Sequence, residues 1–257
     1  MRALLLALGL AAGCAQAEIN GPNAAAYWVA RDGRMIAGAQ IHRRLPMASL
    51  AKMMTALLVL ERGDLDRTVA VSRSAARETG TRLGVRVGER FRARDLLAAA
   101  IIASANDACR ALADDVGGSG FVAMMNRRAG ALGLRDTHFV DPCGHDRDAQ
   151  YSSAADLGRL GTEVMRQPDY LRLSAMPSAI LSTLDGKRSF AFSNTNALIG
   201  RYPGALGLKS GYTPRAGTCL VALAEREGVQ VLLVMLNARD RWWAADGMLD
   251  HAFAERP

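Results

Sequence analysis

The sequence predicts an α+β protein in which strands from both chain ends form one mainly antiparallel sheet, with a helical block inserted between them. Two observations support this. Short apolar runs flank Asp32-Gly33 near the N-terminus and Glu227-Gly228 near the C-terminus, and each pattern is typical of a β-hairpin. Helical patterns fill most of the sequence between the hairpins. Strands so far apart can share a sheet only if the helices form an insertion, so we expect one two-lobed unit.

The individual elements follow from apolar periodicity and from turn residues. Residues 49–61 lack Gly and Pro and are apolar on nearly every side, which predicts a buried helix. We expect irregular backbone at 80–94 and 136–150. The other predicted elements are strands at 25–30, 35–39, 178–183, 188–192, 218–225 and 229–237, and helices at 95–115, 120–132, 154–166 and 241–253.

The N-terminus has the pattern of a secretory signal peptide. Arg2 precedes an apolar run, and Ala15-Gln16-Ala17 offers a cleavage site after residue 17, which leaves 18–257 as a single domain. A buried N-terminal helix is the alternative that involves no export. Residues 11–14 also resemble a lipoprotein cleavage box, which predicts a lipid anchor at Cys14. Either export route places the protein in the periplasm or cell envelope.

The composition limits the kinds of partner and cofactor that we expect for this protein. The net charge of +7 suits an anionic cell-wall polymer or membrane surface. No basic cluster is interleaved with aromatic residues, so we expect no nucleic-acid partner. We interpret Cys109, Cys143 and Cys219 as small core residues, although one pair could form a disulfide. The histidines are scattered and no H-E-x-x-H occurs, so we expect no metal and no other cofactor.

Ser49 and Lys52 are the first candidates for catalysis. On a helix, residues i and i+3 share a face, so the lysine amine can reach the serine hydroxyl and take its proton. The chain has only three lysines, at 52, 187 and 209, and Lys52 lies in an apolar helix. The non-catalytic alternative is a serine that caps the helix, followed by a lysine exposed to solvent. It fits poorly, because an apolar helix of this kind is expected to be buried. Burial would lower the pKa of Lys52 toward that of a useful base.

Two further motifs contain polar residues in apolar surroundings. Ser104-Ala105-Asn106 interrupts a long helical pattern, where Ser and Asn tend to break or cap helices. Lys209-Ser210-Gly211, just before a predicted strand, offers a cation and a hydroxyl for a carboxylate, with a glycine that allows close backbone approach. Taken singly, these motifs are also typical of a capped helix junction and of a glycine turn.

The ordered set S-x-x-K, S-x-N and K-[TS]-G resembles the penicillin-binding proteins and serine β-lactamases. Further segments narrow the resemblance to the D-alanyl-D-alanine carboxypeptidase family. They are 48–57, 87–90, 94–97, 104–108, 151–154, 194–196, 207–213 with 216–217, and Arg241 upstream of 248–250. The resemblance implies an α/β sandwich of the β-lactamase and transpeptidase type, with the site between the sheet and the helical lobe. Many relatives continue into a C-terminal β-rich domain, but this sequence ends soon after the predicted closing helix, so we expect no such domain.

The resemblance also implies roles for individual residues. Ser49 would be the nucleophile, Lys52 the general base, Ser104 a proton relay to the leaving amine, and Asn106 a ligand of the substrate's amide carbonyl. The backbone N–H groups of Ser49 and Tyr212 would form the oxyanion hole. The substrate-binding residues would be Lys209, Ser210, Gly211, Tyr212, Thr213 and Arg241.

The implied reaction removes the terminal D-alanine from peptidoglycan stem peptides through an acyl-enzyme, and β-lactams would acylate Ser49 as substrate mimics. A D,D-endopeptidase that cleaves cross-links and a non-catalytic cell-wall-binding relative are the alternatives. The sequence contains no obvious E-x-x-L-N deacylation motif, which argues against a β-lactamase. It contains no G-x-S-x-G motif, which argues against an α/β-hydrolase. The chain departs from the family pattern at Ala105, at Ser210 and at residues 141–145. Ala105 replaces a glycine, so its φ should be negative.

Overall fold

The computed structural model describes residues 22–254 and contains a five-stranded antiparallel sheet in the order β2-β1-β9-β8-β7. Two of its strands come from the start of the chain and three from the end, and the sequence predicted four of the five, the members of the two hairpins. The strands are β1 (Ala24–Arg31), β2 (Arg34–Ala39), β7 (Ala205–Thr213), β8 (Gly217–Arg226) and β9 (Val229–Ala238). The predicted signal peptide and Cys14 lie outside the described residues.

The helical lobe occupies the chain between β2 and β7, and a last helix follows β9. The helices are α1 (Lys52–Arg62), α2 (Arg73–Ala76), α3 (Ala93–Ile102), α4 (Asn106–Val116), α5 (Phe121–Ala131), α6 (Ala154–Met165), α7 (Pro168–Ser174) and α8 (Arg241–Ala254). Two small antiparallel pairs accompany them: β3 (Thr68–Ala70) with β4 (Arg90–Arg92), and β5 (Ser178–Ser182) with β6 (Ser189–Ser193). Within residues 22–254, no helix is long and apolar enough to cross a bilayer.

Both faces of the central strands are buried. Along β8, Val221 and Leu223 belong to the core shared with the helical lobe, whereas Leu220 and Ala222 pack in a second core beneath α8. Successive strand residues point to opposite faces, so an unbroken apolar run has both faces covered. The sheet therefore lies between two helical layers, and its central strands are covered on both faces.

The helix predicted at 49–61 divides into two parts. A 3-10 turn, Ala48–Ala51, precedes α1, and every residue from Lys52 to Val59 is buried. Ala48 has a φ of +50°, which a right-handed helix cannot include, so regular helix begins only after this turn. Ser49 therefore lies on a tight turn that leads into the buried helix.

The long helical pattern at 95–115 also divides, at the motif that the sequence marked as a break. α3 ends at Ile102 and α4 begins at Asn106. Ser104 has a φ of +59°, whereas Ala105 has a φ of −64°, as expected for a residue with a side chain in place of glycine. The strained conformation thus lies on the serine of the motif.

Several elements were missed by the sequence prediction. β7 was expected only as an extended approach to a strand, yet it is a full edge strand of nine residues. It contains two glycines and a lysine, which are residues of low strand propensity. The short elements β3, β4 and α7 were not predicted either, since their patterns are too brief to stand out from loops.

Candidate active site

Ser49 and Lys52 are in direct contact. The Lys52 Nζ atom donates a hydrogen bond of 2.9 Å to the Ser49 Oγ atom. In a 3-10 turn, residues three apart are nearly eclipsed, so the turn stacks the amine beneath the hydroxyl. The predicted nucleophile and base are therefore within proton-transfer distance.

Two more oxygen atoms hold the amine. Lys52 Nζ donates to Asn106 Oδ1 at 2.7 Å and to the backbone carbonyl of Cys143 at 2.5 Å. Asn106 is the first residue of α4, and Cys143 lies in the irregular segment at 136–150. Lys52 thus joins three separate segments of the chain, and its three bonds leave the amine little freedom.

The environment of Lys52 suits a base. Burial lowers the pKa of Lys52 to about 7, against the opposing effect of the Asp141 and Glu78 carboxylates, which raise it. A buried ammonium loses hydration that the neutral amine hardly needs. Near neutral pH a substantial fraction of Lys52 is neutral and able to accept the proton of Ser49.

Ser104 and Asn106 border the same space from the α3–α4 junction. Asn106 Nδ2 donates to the Thr79 carbonyl at 2.6 Å, and the second N–H of this amide can donate to a ligand. Ser104 is only 7% exposed, and within residues 22–254 its hydroxyl has no hydrogen-bond partner. The structure thus brings Asn106 onto Lys52, while the hydroxyl of Ser104 can bond a substrate.

The opposite wall of the cleft is the edge strand β7. Lys209 is buried, and its Nζ donates to the Ser210 carbonyl at 2.9 Å. Burial and the positive charges of Lys52 and Arg241 hold the pKa of Lys209 well below its usual value. The Ser210 hydroxyl lies 3.1 Å from the Thr195 hydroxyl. This wall therefore presents a concentration of positive charge and hydroxyl groups.

Two glycines allow the walls to approach the Ser49 turn. A Cβ atom on Gly211 would lie 2.9 Å from the Ser49 nitrogen, and one on Gly144 would lie 2.1 Å from the Ala48 carbonyl oxygen. The first distance is shorter than real Cβ contacts and the second is impossible, so each position requires the absence of a side chain. The sequence predicted that Gly211 lets the backbone approach a substrate, whereas the structure shows that it lets β7 approach the Ser49 turn.

The remaining predicted residues lie around β7. Arg241 Nη1 donates to the Gly211 carbonyl at 2.6 Å and so lies against the strand that carries Lys209. Thr213 Oγ1 donates to Asp146 Oδ1 at 2.6 Å, which ties the end of β7 to the 136–150 segment. Tyr212 is 64% exposed. Every predicted site residue is thus on or beside the cleft.

The sequence prediction missed three participants. It noted residues 141–145 only as a departure from the family pattern, yet the Cys143 carbonyl binds Lys52 and Gly144 packs on the Ser49 turn. Thr195 was noted only as part of the family resemblance. A backbone carbonyl has no side-chain signature, so nothing in the sequence could identify the contact of Cys143.

All three cysteines are buried, as expected of small core residues, and one pair is bonded, which the sequence left open. Cys109 and Cys143 form a disulfide, whereas Cys219 is free and buried. No spacing rule fixes such a pairing, because it depends on how α4 meets the loop. Across the part of the chain that the structure describes, no group of His, Cys, Asp and Glu side chains could hold a metal ion.

A sheet flanked by helices, with a serine and a buried lysine in contact at the cleft, defines a serine hydrolase that works without a histidine base. A family model described as D-alanyl-D-alanine carboxypeptidase matches residues 16–240. The chain belongs to this family of serine peptidases.

Curated relatives are similar over most of the chain. The carboxypeptidase DacF of Bacillus subtilis is 33% identical over 90% of this chain, and DacB2 of Mycobacterium tuberculosis is 32% identical over 93%. A D-alanyl-D-alanine endopeptidase of Pseudomonas aeruginosa is 35% identical over 76% of it. The chain spans 62% of DacF, 84% of DacB2 and 64% of the endopeptidase.

Solved structures share the fold. A D-alanyl-D-alanine carboxypeptidase from M. tuberculosis superposes with a TM-score of 0.86 at 32% identity, covering 93% of both chains. Penicillin-binding protein D2 from Listeria monocytogenes, solved in an ampicillin-bound form, superposes with a TM-score of 0.79 at 30% identity and covers 90% of this chain and 98% of that one. The predicted α/β sandwich of the transpeptidase type is confirmed.

Proposed function

We propose that this protein is a serine-type D-Ala-D-Ala carboxypeptidase that removes the terminal D-alanine from peptidoglycan stem peptides. The observation that carries the proposal is the buried Lys52 amine, which lies 2.9 Å from the Ser49 hydroxyl and has a pKa of about 7. Membership of the carboxypeptidase family supports the choice of substrate.

In acylation, Ser49 Oγ attacks the carbonyl carbon of the bond between the last two residues while Lys52 takes its proton. The N–H groups of Ser49 and Tyr212 stabilise the oxyanion. Ser104 relays a proton to the leaving amine, and D-alanine departs. Water then hydrolyses the ester and regenerates Ser49.

The sheet-side wall orients the substrate. A stem peptide ends in a carboxylate, and Lys209 and Arg241 supply positive charge beside β7, which also carries the Ser210 hydroxyl. The second N–H of the Asn106 amide donates to a substrate carbonyl. Gly211 and Thr213 complete this wall. A free terminal carboxylate is therefore the feature that the cleft selects.

The decisive experiment is labelling with a fluorescent penicillin, which mimics the substrate and acylates the same serine. We expect the wild-type protein to form a stable covalent adduct, and Ser49→Ala to form none because it lacks the nucleophile. The ampicillin-bound relative supports this expectation. Gel fluorescence measures the adduct, and Lys187→Arg, at an exposed lysine, serves as a control that should label normally. An unlabelled wild type would leave only a non-catalytic wall-binding role.

A D,D-endopeptidase that cleaves peptide cross-links is the second candidate, since the P. aeruginosa relative carries that name. Both reactions use the same acyl-enzyme. Muropeptide profiles of sacculi incubated with the purified protein separate them. Loss of pentapeptides with cross-linked dimers intact supports the carboxypeptidase, and loss of dimers with pentapeptides intact supports the endopeptidase.

The protein is proposed to work in the periplasm or cell envelope, where its substrate lies. The signal-peptide pattern and the Cys109–Cys143 disulfide support this, because disulfides persist in oxidising compartments. Mass spectrometry of the protein from cells distinguishes an N-terminus at Glu18 from a lipid-bearing Cys14. A chain that retains residues 1–17 in the cytoplasm would contradict export.

A further inference from the structure

The Cys109–Cys143 disulfide joins the two chain segments that hold the amine of Lys52. Cys109 is on α4, three residues after Asn106, so both side chains lie on the same side of the helix. Cys143 provides the carbonyl that accepts from Lys52 Nζ. The two amine partners other than Ser49 therefore belong to segments that one covalent bond joins.

We propose that this disulfide is a positioning element of the active site, which holds Asn106 Oδ1 and the Cys143 carbonyl on Lys52 and thereby holds Lys52 on Ser49. The inference rests on the proposed function, because it assigns the disulfide to the base of that reaction. Cys109 and Cys143 are positioning residues, since neither sulfur atom touches the reacting groups.

The other contacts of the loop explain why a covalent tie matters. Asp141 Oδ1 accepts from the backbone N–H groups of residues 143, 144 and 145, which shapes the turn internally. Thr55 Oγ1 donates to the Pro142 carbonyl at 2.7 Å and anchors the loop to α1. Arg110 on α4 reaches Asp141 at 3.0 Å. These contacts are hydrogen bonds and an ion pair, whereas the disulfide is the only covalent cross-link among residues 22–254.

A general stabilising role is the competing explanation. A bond between residues 34 apart restricts the unfolded chain, and this effect is independent of Lys52. The two explanations differ in what they predict for the pKa of Lys52. The charged groups that shift the pKa of Lys52 are the carboxylates of Asp141 and Glu78, and burial has the largest effect. A loosened loop admits water, which weakens the effect of burial and raises the pKa of Lys52.

The test uses Cys109→Ala, Cys143→Ala and the double variant. Acylation by a penicillin should slow by about ten-fold or more in each, because small displacements of a general base are costly. The acid limb of the rate against pH should move to higher pH. The double variant should be no slower than either single variant, because removing one sulfur already breaks the bond. The proposal would be overturned if the variants were acylated at the wild-type rate with an unchanged acid limb. It would also be overturned if Cys143→Ala slowed acylation and Cys109→Ala did not.

Two controls keep the outcome specific. Met125→Ala opens a cavity beneath α5, a helix that carries none of the predicted site residues, and should lower the melting temperature without moving the pH limb. If it moves the limb as far as the cysteine variants do, the disulfide has no specific role. Thiol titration of the denatured wild type that begins at Glu18 should find one free cysteine, and three would overturn the proposal. Loss of penicillin labelling in the wild type would instead contradict the proposed function.

Discussion

The two walls of the cleft each bury a lysine, and the two lysines have opposite electrostatic surroundings. On the helical side, Lys52 donates to three oxygen atoms and is near two carboxylates. On the sheet side, Lys209 donates to a single carbonyl and is near two cations, Lys52 and Arg241. Each side chain is about 1% exposed, so the difference comes from neighbouring charges rather than from burial.

This difference in neighbouring charge explains how lysine can act as a base at position 52 and bind an anion at position 209. The carboxylates near Lys52 offset part of the effect of burial, so its pKa stays near 7, where the amine can take up and release protons. Among residues 22–254 no carboxylate raises the pKa of Lys209, which burial and the two cations hold well below its ordinary value. A substrate carboxylate would supply the missing negative charge. The helical wall is thus suited to proton transfer and the sheet wall to anion binding.

The largest effect should come from Lys52→Arg. A guanidinium cannot lose its proton near neutral pH, so the variant lacks a base even though its charge is conserved. We expect the rate of Ser49 acylation to fall by about 10²–10⁴-fold. Stopped-flow labelling with a penicillin measures this rate, and Lys187→Arg is the matched control, since Lys187 is 82% exposed. Appreciable activity in Lys52→Arg would refute the assignment of proton transfer to Lys52 on the helical wall.

A smaller and more selective effect is expected from Lys209→Gln. Hydrogen bonds to charged groups contribute about 1.5–3 kcal/mol, so kcat/KM for a peptide with a free terminal carboxylate should fall roughly 10- to 100-fold. A peptide that ends in an amide should lose much less, because it lacks the anion. Steady-state kinetics on the two peptides, with Lys187→Gln as control, measure the difference. Equal losses on both peptides would assign Lys209 to catalysis rather than to carboxylate binding.

The smallest effect is the pH dependence of the wild type. Lys52 must be neutral to accept a proton, and its pKa is lowered to about 7, so kcat/KM should rise through about pH 7 and level off above it. One unit below the pKa, activity should be roughly ten-fold below the plateau. The Lys52 variant has no such base and should lack this limb. A limb near the ordinary lysine pKa would show that burial does not tune Lys52.

The sequence predicted most of the regular structure because apolar periodicity and turn residues are local signals. Both hairpins of the main sheet and the helices α5, α6 and α8 occur where the patterns placed them. Ser153 is the N-cap of α6, where its side chain accepts from the Asp156 N–H. The elements that the sequence did not predict depend on contacts with distant segments. β7 is the main example, because it pairs with β8 and packs beside the Ser49 turn, and its glycines have no local preference for a strand.

The site shows the same division. The apolar setting of Lys52 and the ordered set of three motifs predicted Ser49, Lys52, Asn106 and Lys209 as candidate site residues. The pairing of Cys109 with Cys143 and the carbonyl on Lys52 were not predictable, since both depend on how distant segments meet.

The sequence by itself determined which groups are the candidates for the chemistry: a serine three residues before a lysine on an apolar helix, and a second lysine on an extended segment. Only the tertiary structure decided how those groups behave. It placed Asp141 and Glu78 near one lysine and Arg241 near the other, and it tied the loop that carries Cys143 to α4. The physical reason is that side-chain chemistry is local, whereas burial, charge proximity and cross-linking depend on the distances between segments far apart in the chain.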